Sequence, residues 1–515
     1  MRLIATLLLA TAATTPTWGD SGSKRRLKVS PADESIEYIG RWDFSDPEAP
    51  WCAWQGSTIK ARFHAESIYA DLDCGSNPEF LRVMIDGDPT TSRKLKLYPG
   101  RNFYPLATDL SPGEHRVEVV KESYIGEGRL VFNSLHLAGT GTELGLVETE
   151  PATPRLRIEF YGDSNLAGYS LEHEQNLGGR EFVGCHNTYA GITARMLDAE
   201  YQNISCSGAI ISGRINSVMS FHNRVDMFKP EPLWDFSRFP ADICVVNIGA
   251  NDINVKSKAE IKRDYLRLLK TLREIRPDAH IVLMNGYGWS RTEPAKYTQE
   301  VLDELAEPNV SRLVFPWFFN EWHGCEYDHS GMARYLVSHL ESTNPRWAAT
   351  HESDVMDGFG KDGDVANGSF ERMAPFGGFG WRYVVEGVER VQDAQGSADG
   401  EYYVRLQEGK DIHQPNHTSP DRRHLAKLMM RGDRGSEAVV RVEFRDQLWR
   451  HEIPNTAQET RIPLTQQWKE YEIPTTAPPA ADPADRSRDP WQVILRIKSE
   501  TGTVCVDDVR LSDVD

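Results

Sequence analysis

Four separated blocks of this chain carry residue types that could together move an acyl group. The first is Gly162-Asp163-Ser164, which follows the apolar positions Ile158 and Phe160. A serine at the open end of a strand can be reached by a base and a substrate at once, and a neighbouring backbone N–H can face a developing oxyanion. Gly162 is expected to supply a tight turn that needs φ > 0. The second block, Cys206-Ser207-Gly208-Ala209, offers a glycine N–H that a substrate carbonyl can approach closely. The third, Gly249-Ala250-Asn251-Asp252, offers a neutral side-chain amide donor, and the fourth holds His329 as a base. Each has a plainer reading: a turn serine, a packing glycine, a strand-end asparagine, a histidine at a helix start. Their joint occurrence in this order outweighs those readings.

The elements that must position them alternate. Leu156 to Tyr161, Ile243 to Ile248, His280 to Met284 and Arg312 to Phe315 read as buried strands. Thr188 to Leu197, Lys258 to Ile275, Pro294 to Leu305 and Gly331 to Leu340 read as helices. Helices between apolar strands imply a parallel sheet, with ligands bound beyond the carboxyl ends of its strands. On either side the grammar is period-two alternation with turn residues. Ser35 to Leu137 predicts a β-sandwich of jelly-roll type, and the stretch beyond Asn344-Pro345 predicts a second sandwich interrupted by a long loop over Thr475 to Asp489. The expected fold class is therefore multidomain: an N-terminal β-sandwich over 30–140, a central α/β domain over 155–342 and a C-terminal β-sandwich over 354–515.

Length supports about three domains, at roughly 100–200 residues each. Lys plus Arg number 58 against 76 Asp plus Glu, a net charge of −18, which argues against a nucleic-acid partner. Residues 1–20 pair a positive start with an apolar run too short to span a bilayer, which reads as an export signal and predicts a secreted or periplasmic protein without a membrane span. The seven cysteines show no zinc spacing. Cys52 with Cys74 and Cys185 with Cys325 are candidate pairs that the sequence leaves undecided.

The blocks resemble those of the SGNH (GDSL-like) hydrolases, and more closely carbohydrate esterase family two, whose members place a small jelly roll before the esterase domain. Thr188-Tyr189-Ala190-Gly191-Ile192-Thr193-Ala194-Arg195 and Trp234-Asp235-Phe236-Ser237-Arg238-Phe239 are similar to that family's text, and the likeness runs from about Tyr38 to Leu340. It implies Ser164 as nucleophile, His329 as general base, and the N–H groups of Ser164 and Gly208 with the Asn251 side chain as oxyanion hole. The family often has an acid two residues before the base. Tyr327 holds that place here, so Glu326, with Asp328 or a backbone carbonyl as alternatives, is expected to orient His329. Trp322 and Trp289 are the expected sugar contacts, with Tyr287 and Trp317 on the same rim. The implied reaction is removal of O-acetyl groups from a polysaccharide such as acetylated xylan or mannan, leaning towards O-6, through an acyl-enzyme and with no catalytic cofactor. The alternatives are another acetylated glycan, or a glycan-binding protein on an esterase fold that has lost turnover.

The C-terminal stretch resembles carbohydrate-binding jelly rolls that open with Asn-Gly-x-Phe-Glu and close with Val-Asp-Asp-Val. Trp381, Tyr402, Trp449 and Trp468 are its candidate glycan platform. A structural calcium on Glu371 with Asp507 or Asp508 is the alternative to solvated turn carboxylates. The domain is expected to fold and act apart from the chemistry.

Overall fold

The computed structural model describes residues 25–88, 91–124, 128–148, 155–173, 178–285, 296–314, 323–358, 364–374, 378–446, 452–481 and 488–514. The export-signal reading of 1–20 lies outside them, as do Tyr287, Trp289, Trp317, Trp322 and Trp449. Among the described residues, no helix is long and apolar enough to cross a membrane.

The central sheet is five parallel strands in the order Glu200–Ser205, Arg157–Gly162, Ile243–Asn247, His280–Asn285, Val310–Val314. Glu200–Ser205 was not expected as a strand, because its polar residues break the apolar run. The order reverses at Arg157–Gly162: the next strand in the chain, Glu200–Ser205, lies on one side of it and the one after, Ile243–Asn247, on the other, which makes its carboxyl end the topological switch point where open sheets of this kind bind ligands. Helix Lys258–Ile275 forms over the expected residues. Ser257 and Glu260 make a reciprocal capping box, and Ile261, Tyr265, Leu268, Leu269 and Leu272 put one apolar stripe against the sheet.

N-terminal to this lie two antiparallel six-stranded sheets. Strands such as Thr58–His64, with buried Ile59, Ala61 and Phe63, turn alternate side chains into one core. C-terminal to it lie two antiparallel five-stranded sheets around a core that includes Phe370, Trp381 and Phe444. Trp381 is thus a core residue rather than part of a glycan platform. The adjacent strands Glu437–Asp446 and Gln458–Pro463 of one of these sheets carry charge pairs: Arg441 with Glu443, Glu452 and Glu459, and Arg461 with Glu437 and Glu500.

The calcium reading does not fit the residues present. Glu371 Oε1 accepts backbone N–H groups of Glu401 and Tyr402 at 2.8 and 2.9 Å, and Asp507 Oδ2 accepts those of Ala398 and Asp399 at 2.7 and 3.0 Å. Donors point where a cation would sit. Asp508 turns to Arg510, and no group of three or more His, Cys, Asp or Glu among the described residues could hold a metal ion. Nor is Asp507 a solvated turn carboxylate: it is fully buried, and burial pushes its carboxyl up to about 6, whereas Glu371 and Asp508 are half-buried. All seven cysteines are free and buried, so neither candidate disulfide forms.

Candidate active site

The position of Ser164, the expected nucleophile, follows from local chain geometry. Strand Arg157–Gly162 ends, Asp163 breaks the run and caps a single helical turn, Ser164–Ala167, by accepting the Asn165 N–H at 3.1 Å. Gly162 is needed here for closeness rather than for positive φ. A Cβ on it would stand 2.8 Å from the Asn247 carbonyl oxygen and 2.9 Å from Leu166 Cδ2. The left-handed residue is Gly168, at φ 77°, which ends the turn. Burial pushes the Asp163 carboxyl up to about 6, with the Asn165 donors opposing that rise.

Two further blocks meet at neighbouring strand ends. Gly162 is in register with Ser205 on one side and Asn247 on the other, so the Gly208 and Asn251 loops flank the Ser164 turn. Gly208 adopts φ 71°, and the nearest atom to an added Cβ, Asn216 Nδ2, is 3.8 Å away, so the left-handed backbone rather than crowding is what calls for glycine. Asn251 Nδ2 donates to the Ala209 carbonyl at 2.9 Å, joining the two loops, and an amide nitrogen still carries a second hydrogen. Buried Asp252 strengthens the joint by accepting from the Ile211 N–H at 3.1 and 3.2 Å and from Lys256 Nζ at 2.8 Å.

The fourth block differs from expectation. The imidazole facing Ser164 is His323, whose Nε2 lies 2.9 Å from Ser164 Oγ. The Tyr169 ring packs edge-to-face with it, centroids 4.9 Å apart, and burial lowers the imidazole to about 4. His329 lies elsewhere, because its helix begins at Glu326, five residues before the expected start, so His329 sits in the first turn, facing the core. Its Nδ1 accepts the Tyr189 N–H at 3.1 Å, its Nε2 lies 3.4 Å from the His323 carbonyl oxygen, and its ring stacks on Tyr189. That pattern fixes the neutral tautomer with hydrogen on Nε2, and burial lowers the ring to about 3. Both nitrogens of His329 are engaged, so it has no lone pair to take a proton from Ser164.

The expected orienting acids follow the same displacement. The Glu326 carboxylate accepts from the Asn187 side-chain amide. Asp328 accepts the Cys325 N–H at 2.9 Å and pairs with Arg382. The signal that would have found His323 is the string Glu321-Trp322-His323, which sets an acid two residues before the imidazole, the spacing expected of the family. Glu321, like Trp322 and Trp289, lies outside the described residues.

The N-terminal sandwich braces the nucleophile side. Gln55 Nε2 donates to Asn203 Oδ1 at 3.0 Å and Ser205 Oγ at 2.6 Å, and Asn203 Nδ2 in turn donates to the Leu166 carbonyl at 2.7 Å, in the Ser164 turn. Arg41 reaches Gln202 at 2.9 Å and buried Glu159 at 3.6 Å, and Arg82 joins Glu122 to Glu172.

Comparison with known proteins agrees with this layout. Residues 38–144 match the family described as "Carbohydrate esterase 2 N-terminal", and residues 160–311 match the "GDSL-like Lipase/Acylhydrolase family". The chain is 27% identical over 339 residues to the cellulase/esterase CelE of Acetivibrio thermocellus, covering 60% of this chain but 39% of that protein. It is 24% identical over 331 residues to the acetylxylan esterase / glucomannan deacetylase of Cellvibrio japonicus, covering 61% of this chain and 90% of the relative. A solved family two carbohydrate esterase from Cellvibrio japonicus superposes with a TM-score of 0.57 at 22% identity, over 63% of this chain and 99% of that one. The chain therefore carries a carbohydrate esterase 2 N-terminal domain followed by a GDSL-like lipase/acylhydrolase domain, and the pair has the fold of the family two carbohydrate esterases.

Proposed function

We propose that this protein is an exported serine esterase that removes O-acetyl groups from polysaccharides, with acetylated xylan or glucomannan as the substrate class. The observation that carries the reading is the Ser164–His323 contact of 2.9 Å at the carboxyl ends of the central sheet. The base is His323, in place of the expected His329. Ser164 Oγ attacks the acetyl carbonyl while its proton passes to His323 Nε2. The N–H groups of Ser164 and Gly208 and the second Asn251 amide hydrogen face the oxyanion. His323 then delivers the proton to the departing sugar oxygen, and water, activated by the same imidazole, releases acetate from Ser164. The relative named for acetylxylan and glucomannan deacetylation supports the substrate class. The O-6 leaning and the sugar-contact roles of Trp322 and Trp289 belong to the same proposal, as does the export reading of residues 1–20. The imidazole beside Ser164 favours turnover over the non-catalytic alternative.

Acetate release from acetylated xylan, acetylated glucomannan and aryl acetates, measured with the native chain and Ser164→Ala, tests the reading. Release by the native chain from at least one polysaccharide is expected, and the variant should lose it by a factor of about 10³ or more. Turnover of non-sugar esters alone, or equal rates for the two proteins, would remove it.

A further inference from the structure

The C-terminal sandwich was expected to stand apart from the chemistry, yet it grips the turn that follows the catalytic imidazole. Only Gly324 separates His323 from Cys325, the cap of helix Glu326–Thr343. Tyr327 and Asp328, in the first turn of that helix, both point to the C-terminal region, while His329 points back to the base.

Tyr327 packs between two glycines. A Cβ on Gly358 would stand 2.3 Å from its ring, and one on Gly378, which adopts φ 72°, would stand 2.8 Å away. The Gly358 N–H donates to the Tyr327 carbonyl at 3.1 Å, and Cys325, Met356 and Ala374 complete a small apolar cluster around the ring. Asp328 has two partners. Its Oδ2 accepts the Cys325 N–H, closing the cap, and its Oδ1 takes the guanidinium of Arg382, 54 residues later on the edge strand Arg382–Tyr383 of the C-terminal sandwich. Both charged groups are almost wholly buried. A buried ion pair holds its geometry firmly, because parting the charges exposes each to a medium that cannot solvate it. His329, one residue on, faces the His323 carbonyl through Nε2.

We infer that Arg382 is a positioning residue for the reaction: through Asp328 it fixes the first turn of the helix and, by way of the Cys325 cap and the His329–His323 contact, the place of the base imidazole. The C-terminal sandwich is then part of the catalytic framework. This rests on His323 being the base, which Ser164→Ala and His323→Ala on an aryl acetate settle separately. A displacement of about 1 Å at the base is enough to lower turnover by about tenfold or more.

The test is steady-state kinetics on a soluble aryl acetate with the full-length chain. Arg382→Met should lower kcat by about tenfold or more with KM changed less than about threefold, since the base acts only as the transition state forms. Arg334→Gln is the control. It breaks another contact between the same helix and the segment after it, the 2.6 Å pair with Asp357, two turns from the base, and should leave kcat unchanged. If Arg382→Met fails to fold, Arg382→Met/Asp328→Asn, which buries no lone charge, carries the test with the same expectation. A folded Arg382 variant whose kcat stays within about twofold of the native value, or falls no further than in Arg334→Gln at equal loss of Tm, overturns the inference.

Discussion

The two sides of the candidate active site are held by different domains and in different ways. On the nucleophile side, Ser164 follows directly from a strand hydrogen-bonded on both edges, and the N-terminal sandwich adds the Gln55–Asn203–Leu166 relay behind it. On the base side, His323 precedes a helix whose start depends on an unusual cysteine cap and on a charge from the C-terminal sandwich. A group carried on a sheet tolerates the loss of one outside contact, because the strand ladder still fixes its Cα. A group on a loop before a helix depends on what fixes the helix's first turn.

Replacing the base gives the largest contrast. His323→Ala should reduce kcat by about 10³-fold or more on an aryl acetate, close to the effect of Ser164→Ala and not additive with it, because the two act as one unit. The double variant measures that directly. His329→Ala should cost far less, about tenfold in kcat, with a loss of Tm, since it removes a buried ring and the contact to the His323 carbonyl. Equal or inverted effects would return the base to His329.

Next in size is the acid response. His329 is lowered to about 3 by burial and His323 to about 4, against 6.5 for an ordinary imidazole. Both must be neutral in the folded enzyme. Activity should therefore persist as pH falls from neutrality and drop only as it passes through about 4, when His323 takes a proton; an acid limb near 6.5 in kcat/KM would contradict this. Stability carries the same sign. Between 6.5 and the folded values the unfolded chain binds the protons and the folded chain does not, so the contribution is fully present above 6.5 and lost as pH falls, by about 1.4 kcal/mol per pH unit for each histidine. Urea unfolding of the native chain and His329→Ala at pH 7 and 5 compares them.

The smallest effect on turnover belongs to the nucleophile side. Gln55→Ala removes the donor that Asn203 and Ser205 share and should lower unfolding free energy by about 1–3 kcal/mol, since buried acceptors lose their partner. Turnover should fall only a few-fold, because the sheet keeps Ser164 in place. A loss as large as that of Arg382→Met would dissolve the contrast between the two sides.

Much of this architecture was legible without coordinates. Periodicity located several of the sandwich strands and four of the five central strands, and an apolar run ending in Gly162-Asp163-Ser164 placed a serine at a strand end. Those features are local: side-chain alternation and turn chemistry act within a few residues. The Glu200–Ser205 strand escaped because Gln202, Asn203 and Ser205 are polar yet buried, hydrogen-bonded to Arg41, Gln55 and Leu166 from other segments.

What the sequence determined by itself was the set of chemical parts and the strand ends that present them. What only the tertiary structure decided was which histidine meets Ser164, 159 residues away from His323 in the chain. The spacing of Glu321 marks His323, but nothing local says where each of the two histidines, six residues apart, will point. They differ because the helix starts at Glu326, and it starts there because Asp328 caps Cys325 while Arg382, from another domain, neutralises the buried carboxylate. That start turns His329 into the core and leaves His323 beside Ser164, an outcome set by contacts between distant segments rather than by any run of neighbouring residues.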